Sequence, residues 1–180
     1  MTFFTSRVKI LLSKERRCDM LTCAFTGHRN IKPEHRAKLP ELLARSINYA
    51  YGKGCRRFIT GGALGFDTEA AREVIRFRVS HPDVSLILFL PCLDQDLGWS
   101  DRQRSLYEYI IGAANEIRFV SERYDKSCMK RRNQAMAEEC DLMICYVGHE
   151  RSGASQTLRI ATELGKESYN LYYHIEKGSL

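Results

Sequence analysis

After Met20 the chain repeats one unit: a short apolar run, a loop rich in glycine, proline or hydroxyl groups, then apolar residues at helical spacing. Leu21–Thr26 reads as a buried strand ended by Gly27. Pro33 suits a helix start, Leu39, Leu42, Leu43, Ile47 and Ala50 continue it, and Pro40 is expected to delay or kink it. Strands are expected at Arg57–Thr60, Val84–Leu90, Glu116–Val120, Asp141–Val147 and Glu167–Tyr172. Helices are expected at Thr68–Val79, Asp101–Ala113, Met129–Glu139 and Ser155–Leu164. Parallel strands need crossovers, and right-handed crossovers carry helices to both faces of a sheet. The alternation therefore predicts an α/β fold: a Rossmann-like three-layer α-β-α domain with a mostly parallel sheet.

The chain has 180 residues, enough for one domain with a proper core. The expected division is an N-terminal extension over 1–20, the Rossmann-like domain over 21–175 and a short tail over 176–180. Val8-Lys9-Ile10-Leu11-Leu12 is apolar, but charged residues follow it instead of a small-residue cleavage site. An amphipathic extension, a frayed tail or a true start at Met20 all fit. No run is long and apolar enough for a membrane span. Of the seven cysteines, Cys23, Cys55, Cys92 and Cys145 sit in or beside apolar runs, and no zinc-type spacing occurs. A reducing, cytoplasmic compartment and no structural metal are expected.

Ligands of such sheets bind beyond the carboxyl ends of the strands, and the unusual residues fall in those loops. Thr26-Gly27-His28-Arg29 offers a close backbone approach and a cation for phosphate. Thr60-Gly61-Gly62-Ala63-Leu64-Gly65-Phe66-Asp67 places three glycines between strand and helix, with Asp67 expected as the helix N-cap. It lacks the lysine and Ser/Thr ending of a Walker A loop. Pro91-Cys92 is followed by Gln95 and Trp99; the indole could stack on a base or cover one end of the sheet. Cys92 reads as a buried thiol rather than a nucleophile. Arg132 and Asn133 lie near a helix start, and Gly153, Ser155 and Thr157 mark the last strand-to-helix junction, with Ser152 or Ser155 as its cap.

Taken in order, Thr26–Arg29, Thr60–Ala71, Pro91-Cys92 with Gln95 and Trp99, and Arg132-Asn133 resemble the YpsA-like family of the SLOG superfamily, which also holds DprA and the LOG phosphoribohydrolases. The resemblance runs from about Leu21 to Asn170. It implies a Rossmann-like fold, a site for a nucleotide-derived ligand and, for some bacterial members, a link to cell division or stress responses. The chain departs from the family at Gly153-Ala154-Ser155, where Gly-Gly-Thr is usual. The LOG hydrolases carry a glutamate just after this loop; here Thr157-Leu158-Arg159-Ile160 has none, and Glu163 follows a turn later.

The expected role is that of a sensor-like protein binding a nucleotide derivative such as ADP-ribose or NAD, with Arg29 and Arg132 on phosphate. One alternative is a nucleotide N-glycosidase in which Asp67 or Glu69 supplies the carboxylate. Another is a single-stranded nucleic-acid binder, suggested by the net charge of +6 and by Lys130-Arg131-Arg132, although aromatic residues are sparse beside that run. Lys14, Arg16 and Arg17 precede the first strand and are expected to be dispensable for nucleotide binding. A homo-oligomer is compatible with the sequence, which carries no interface signature.

Overall fold

The computed structural model describes residues 8–10, 20–148 and 151–178. Lys14, Arg16 and Arg17 lie outside the described residues, as do Leu11 and Leu12. The strands are β1 (Val8–Ile10), β2 (Leu21–Gly27), β3 (Cys55–Thr60), β4 (Ser85–Leu90), β5 (Glu116–Phe119), β6 (Leu142–Tyr146) and β7 (Glu167–Asn170). The helices are α1 (Leu39–Gly52), α2 (Phe66–Phe77), α3 (Asp101–Ala113), α4 (Cys128–Glu139), α5 (Gly153–Glu163) and α6 (Leu171–Glu176), with a 3₁₀ turn at Pro33–His35.

All seven strands are parallel, in the order β1-β5-β4-β3-β2-β6-β7. From β2 the chain steps outward through β3, β4 and β5, then crosses back to β6 on the other side of β2. The strand order thus reverses between β2 and β6, and in sheets of this kind the carboxyl ends of the strands at the reversal flank the ligand crevice. Register pairs Thr26 with Cys145 and Gly27 with Tyr146 at that point.

Strand alternation divides the core in two. Phe25, Phe58, Leu86, Leu88 and Tyr146 pack on one side with residues of α1, α2, α3 and α6. Ala24, Ile59, Ile87, Phe89 and Cys145 pack on the other with residues of α4 and α5. Among the described residues six cysteines are buried and unpaired, and burial pushes the Cys92 thiol up to about 12. Among the described residues no helix is long and apolar enough to cross a membrane.

Several local expectations change. Pro33 starts only a 3₁₀ turn, and the helix is delayed to Leu39, with Pro40 in the first turn of α1, where a missing N–H costs nothing. The last strand stops at Asn170, whose side chain accepts from the Tyr172 amide and caps α6. Leu171 and Tyr172, expected to extend β7, and Glu176, the first residue of the expected tail, therefore lie in a helix. Val8–Ile10 pair with Ile117–Phe119 at the far edge of the sheet.

Candidate functional site

The loop between β3 and α2 is shaped by what its glycines leave room for. A Cβ on Gly61 would collide with the Arg132 guanidinium and lie 2.8 Å from Asp67 Oδ2. Gly62 has φ +62°, and a Cβ there would lie 2.7 Å from Leu90 Cδ2. Gly65 has φ +82°, and the Arg29 carbonyl occupies the space a side chain would need. Gly27 is crossed in the same way by the Phe66 ring, 2.5 Å from a notional Cβ. The amide of Phe66 donates to the His28 carbonyl (3.1 Å), so the β2–α1 and β3–α2 loops are locked together.

Asp67 does not cap α2. Gly65 occupies the N-cap position with no side-chain bond, and Asp67 is the second residue of the helix, 5% exposed. Burial pushes its carboxyl up to about 6, against the opposing pull of the Arg132 charge and of the amides of Ala63, Gly61 and Gly27. A carboxylate with these three donors is fixed in place beneath the loop. Glu69 points elsewhere and pairs with Arg72 at 3.1 Å.

Arg132, the fifth residue of α4, is only 7% exposed. Its Nη1 donates to the Gly61 carbonyl (2.5 Å) and its Nε to Asn133 Oδ1 (2.8 Å). Asn133 Nδ2 in turn donates to the Gly153 carbonyl (3.3 Å), which also accepts from Thr157 Oγ1 (2.8 Å). Gly61, Asp67, Arg132, Asn133, Gly153 and Thr157 are therefore one connected group spanning three loops. The expectation that Arg132 stands ready for phosphate changes accordingly: its nitrogens hold Gly61 and Asn133, because a buried guanidinium must find acceptors within the protein. Its neighbours Lys130 and Arg131 are exposed, and Arg131 pairs with Asp125 at 2.6 Å.

Gln95 extends the group. Its Nε2 donates to the Gly62 carbonyl and to the Tyr107 hydroxyl, each at 3.0 Å. Trp99 meets the Tyr107 ring edge-on at 5.2 Å and packs partly buried against the core, so it covers the end of the sheet. Thr26 is buried under the crevice. Ser152 and Ser155 form a reciprocal capping box that opens α5. Glu163, at the far end of α5, is exposed and lies 3.7 Å from Arg159.

Arg29 differs from the rest. Its side chain is exposed, and no ion pair among the described residues holds it. Its charge is close enough to act on Arg132 and disfavour the latter's protonation. The guanidinium groups of Arg29 and Arg132 thus act on one another, and the carboxylate beside Arg132 has its own ionisation suppressed by burial. That leaves positive potential where glycine-rich loops and helix starts meet.

A second polar group at the crevice has no signature in the sequence. The Gly148 amide donates to His28 Nε2 at 2.9 Å, so the neutral ring carries its proton on Nδ1. Beneath it, the Tyr146 hydroxyl lies 2.8 Å from Nδ1 of buried His35, and His35 Nε2 lies 3.1 Å from Glu176. The Lys32 amide donates to the same hydroxyl at 3.3 Å, and Lys32 Nζ reaches Glu176 at 2.5 Å. Burial raises the Tyr146 phenol, which stays neutral. α6 is thereby tied to the loop after β2. Asn170, as the α6 cap, also bonds both polar groups of the Val147 backbone, at 3.1 and 2.8 Å.

The sequence model of the YspA SLOG family matches residues 24–176. A UPF0398 protein of Bacillus thuringiensis (strain Al Hakam) is 28% identical over 139 residues, covering 75% of this chain and 76% of the relative. Among solved structures, DNA processing protein A from Helicobacter pylori, described for its single-stranded DNA binding mode, aligns at TM-score 0.60 and 23% identity, over 88% of this chain and 73% of its own. The DprA of Streptococcus pneumoniae aligns at TM-score 0.61 and 19% identity, over 84% and 50%. At these identities the structural likenesses speak to the fold.

Proposed function

Because the chain belongs to the YspA SLOG family, we propose that it binds a small nucleotide-derived anion, of the ADP-ribose or NAD type, in the crevice between β2 and β6, in a sensing or regulatory role. The observation that carries this reading is Arg29: an exposed guanidinium, without an acidic partner among the described residues, at the rim of interlocked glycine loops. Arg29 would meet phosphate. Gly153, Ser155 and the start of α5 would close the site from the opposite side, and Trp99 would border it. Arg132, Asn133 and Asp67 hold the loops in shape.

Binding is favoured over hydrolysis because neither carboxylate is placed for acid–base work. Asp67 is engaged by three backbone amides and Glu69 by Arg72. Calorimetric titration with ADP-ribose, NAD and AMP tests the reading. At least one should bind, and Arg29→Ala should weaken it by about 1.5–3 kcal/mol, the scale of a hydrogen bond to a charged group. Unchanged affinity in Arg29→Ala, or turnover of AMP abolished by Asp67→Asn, would overturn it.

A second reading is single-stranded nucleic-acid binding. One observation favours it: Tyr124 is 62% exposed between exposed Arg123 and Lys126, a basic–aromatic alternation on the loop after β5. Affinity for an oligothymidylate that falls steeply with salt, together with no nucleotide binding, would move the conclusion there.

A further inference from the structure

Away from the crevice, α1, β6, β7 and α6 enclose an open groove of about 370 Å³. Its floor is Leu42, Ile144 and Leu171, all nearly inaccessible. Tyr49 and Tyr169 form a wall, with their rings edge-to-face at 5.0 Å and their hydroxyls 2.7 Å apart. Arg45, Ser46 and His174 supply the polar lining.

We propose that this groove binds a small planar aromatic anion, a fused-ring carboxylate being the best match. The apolar floor and the tyrosine wall suit a flat ring, which prefers edge-to-face or offset contacts with aromatic neighbours. The volume lies within the usual span of small-molecule sites. Charge selects the sign. No lining residue is acidic, and Arg45 has no ion-pair partner among the described residues. Glu167, at the start of β7, accepts from both tyrosine hydroxyls (3.2 and 3.0 Å) and pairs with Lys53 (3.2 Å). The wall is thereby held in place, and the Glu167 charge is met by Lys53 and the two hydroxyls. A carboxylate on the ligand would take the Arg45 guanidinium, with Ser46 and His174 as hydrogen-bonding neighbours.

The groove shares no lining residue with the crevice, and its proposed ligand does not depend on nucleotide binding. The two are joined mechanically. Leu171 and His174 line the groove on one side of α6, while Tyr172 and Glu176 of the same helix pack on Gly148 and hold Lys32 and His35. An occupant of the groove would stiffen the helix that braces the loops of the crevice.

The test uses three probes with one ring system and different charge: indole-3-acetate, indole-3-acetamide and tryptamine. Saturation-transfer NMR and calorimetry on the full chain should show indole-3-acetate binding, the amide about tenfold weaker and the amine undetectable, as expected when one charged hydrogen bond is lost or opposed. Arg45→Ala should reduce indole-3-acetate binding to the level of the amide. Ser46→Trp, which fills the groove from its rim, should abolish binding with an unchanged circular dichroism spectrum and an unchanged nucleotide affinity. Equal binding of acid and amine, no binding of the acid, or full binding by Ser46→Trp would overturn the proposal. So would a dimer in sedimentation that Ser46→Trp dissociates, because the groove would then be filled by a second copy of the chain.

Discussion

Asp67 and Arg132 face one another across the α-carbon of Gly61: a methyl group there would touch the carboxylate on one side and the guanidinium on the other. The two charges come from the first turn of α2 and the second turn of α4, and both are buried. Each makes the other tolerable. The guanidinium opposes the rise in the Asp67 pKa, and the carboxylate opposes the fall in that of Arg132.

This pair sets a pH dependence. Burial holds the folded-state Asp67 near 6, against an ordinary value of 3.8. Between those values the folded protein keeps a proton that the unfolded chain has released, so stability contributed by this group falls as pH rises from about 4 to 6 and is level above. The full drop corresponds to about 3 kcal/mol at most. Urea unfolding of the protein and of Asp67→Asn across that range should show their difference shrinking with pH. A difference independent of pH would mean that Asp67 is not protonated in the fold.

Arg132→Met should extend that window upward. Removing the guanidinium takes away the largest influence keeping the carboxylate ionised, so the difference from the Arg132→Met, Asp67→Asn double variant should continue to change above pH 6. The Gly61 carbonyl and Asn133 Oδ1 would also lose a donor. The expected loss is about 2–4 kcal/mol at neutral pH, from two buried acceptors left without it. Thermal unfolding measures the loss directly.

Much of this geometry follows from what the chain displays locally. Apolar runs mark the strands, the carboxyl-end rule marks the loops, and Gly61, Gly62 and Gly65 announce a tight junction. Their purpose is less visible. Each glycine makes room for Arg132, for Leu90 or for the Arg29 backbone, and those neighbours come from distant parts of the chain. The burial of Asp67 is hidden for the same reason: a carboxylate at a helix start reads as a cap unless the loop above it is known. His35, Tyr146 and Glu176 meet only because β6 lies beside β2 and α6 folds back over both. The short α6 escapes a periodicity reading because two tyrosines and an isoleucine among six residues look extended; its signal is the Asn170 cap.

The glycines separate fold from access. Gly62→Val is not the neutral probe that loop composition suggests, since φ +62° and Leu90 both oppose a side chain. It should cost about 2 kcal/mol or more through strain and overpacking. Gly153→Ala is the better probe. Its Cβ would meet only Asn133 Nδ2, at 3.4 Å, in the first turn of α5. Stability should hold or rise by up to about 1 kcal/mol, while affinity for the nucleotide falls. Equal affinity in Gly153→Ala would move the ligand away from α5.

Tyr146→Phe tests the brace under the crevice. The change removes one oxygen from a fully buried ring and leaves His35 Nδ1 without its partner. Leaving a buried polar atom unsatisfied costs about 1–3 kcal/mol. The same variant should loosen the loop after β2, because the Lys32 amide bonds that hydroxyl. Hydrogen exchange should therefore rise at Lys32 and at Gly148 but not in β4. Exchange that rises evenly across the sheet would mean that Tyr146 supports the core alone.

The final prediction concerns where the site is not. Val8–Ile10 lie at the β5 edge of the sheet, with β5, β4 and β3 between them and β2. A chain beginning at Met20 loses that edge strand, together with Lys14, Arg16 and Arg17. If a small nucleotide sits between β2 and β6, the truncated chain should bind it with the affinity of the full chain, even if it unfolds at a lower temperature. Few phosphate contacts are involved, so log affinity should fall only gently with log salt. If a single strand of nucleic acid is the ligand, removing five cations (Arg7, Lys9, Lys14, Arg16 and Arg17) should weaken binding and flatten a slope that was steep to begin with. Titrations of ADP-ribose and of an oligothymidylate against both chains, at low and high salt, distinguish the outcomes. A large loss of nucleotide affinity on truncation, with none in Arg29→Ala, would place the site at the opposite edge of the sheet.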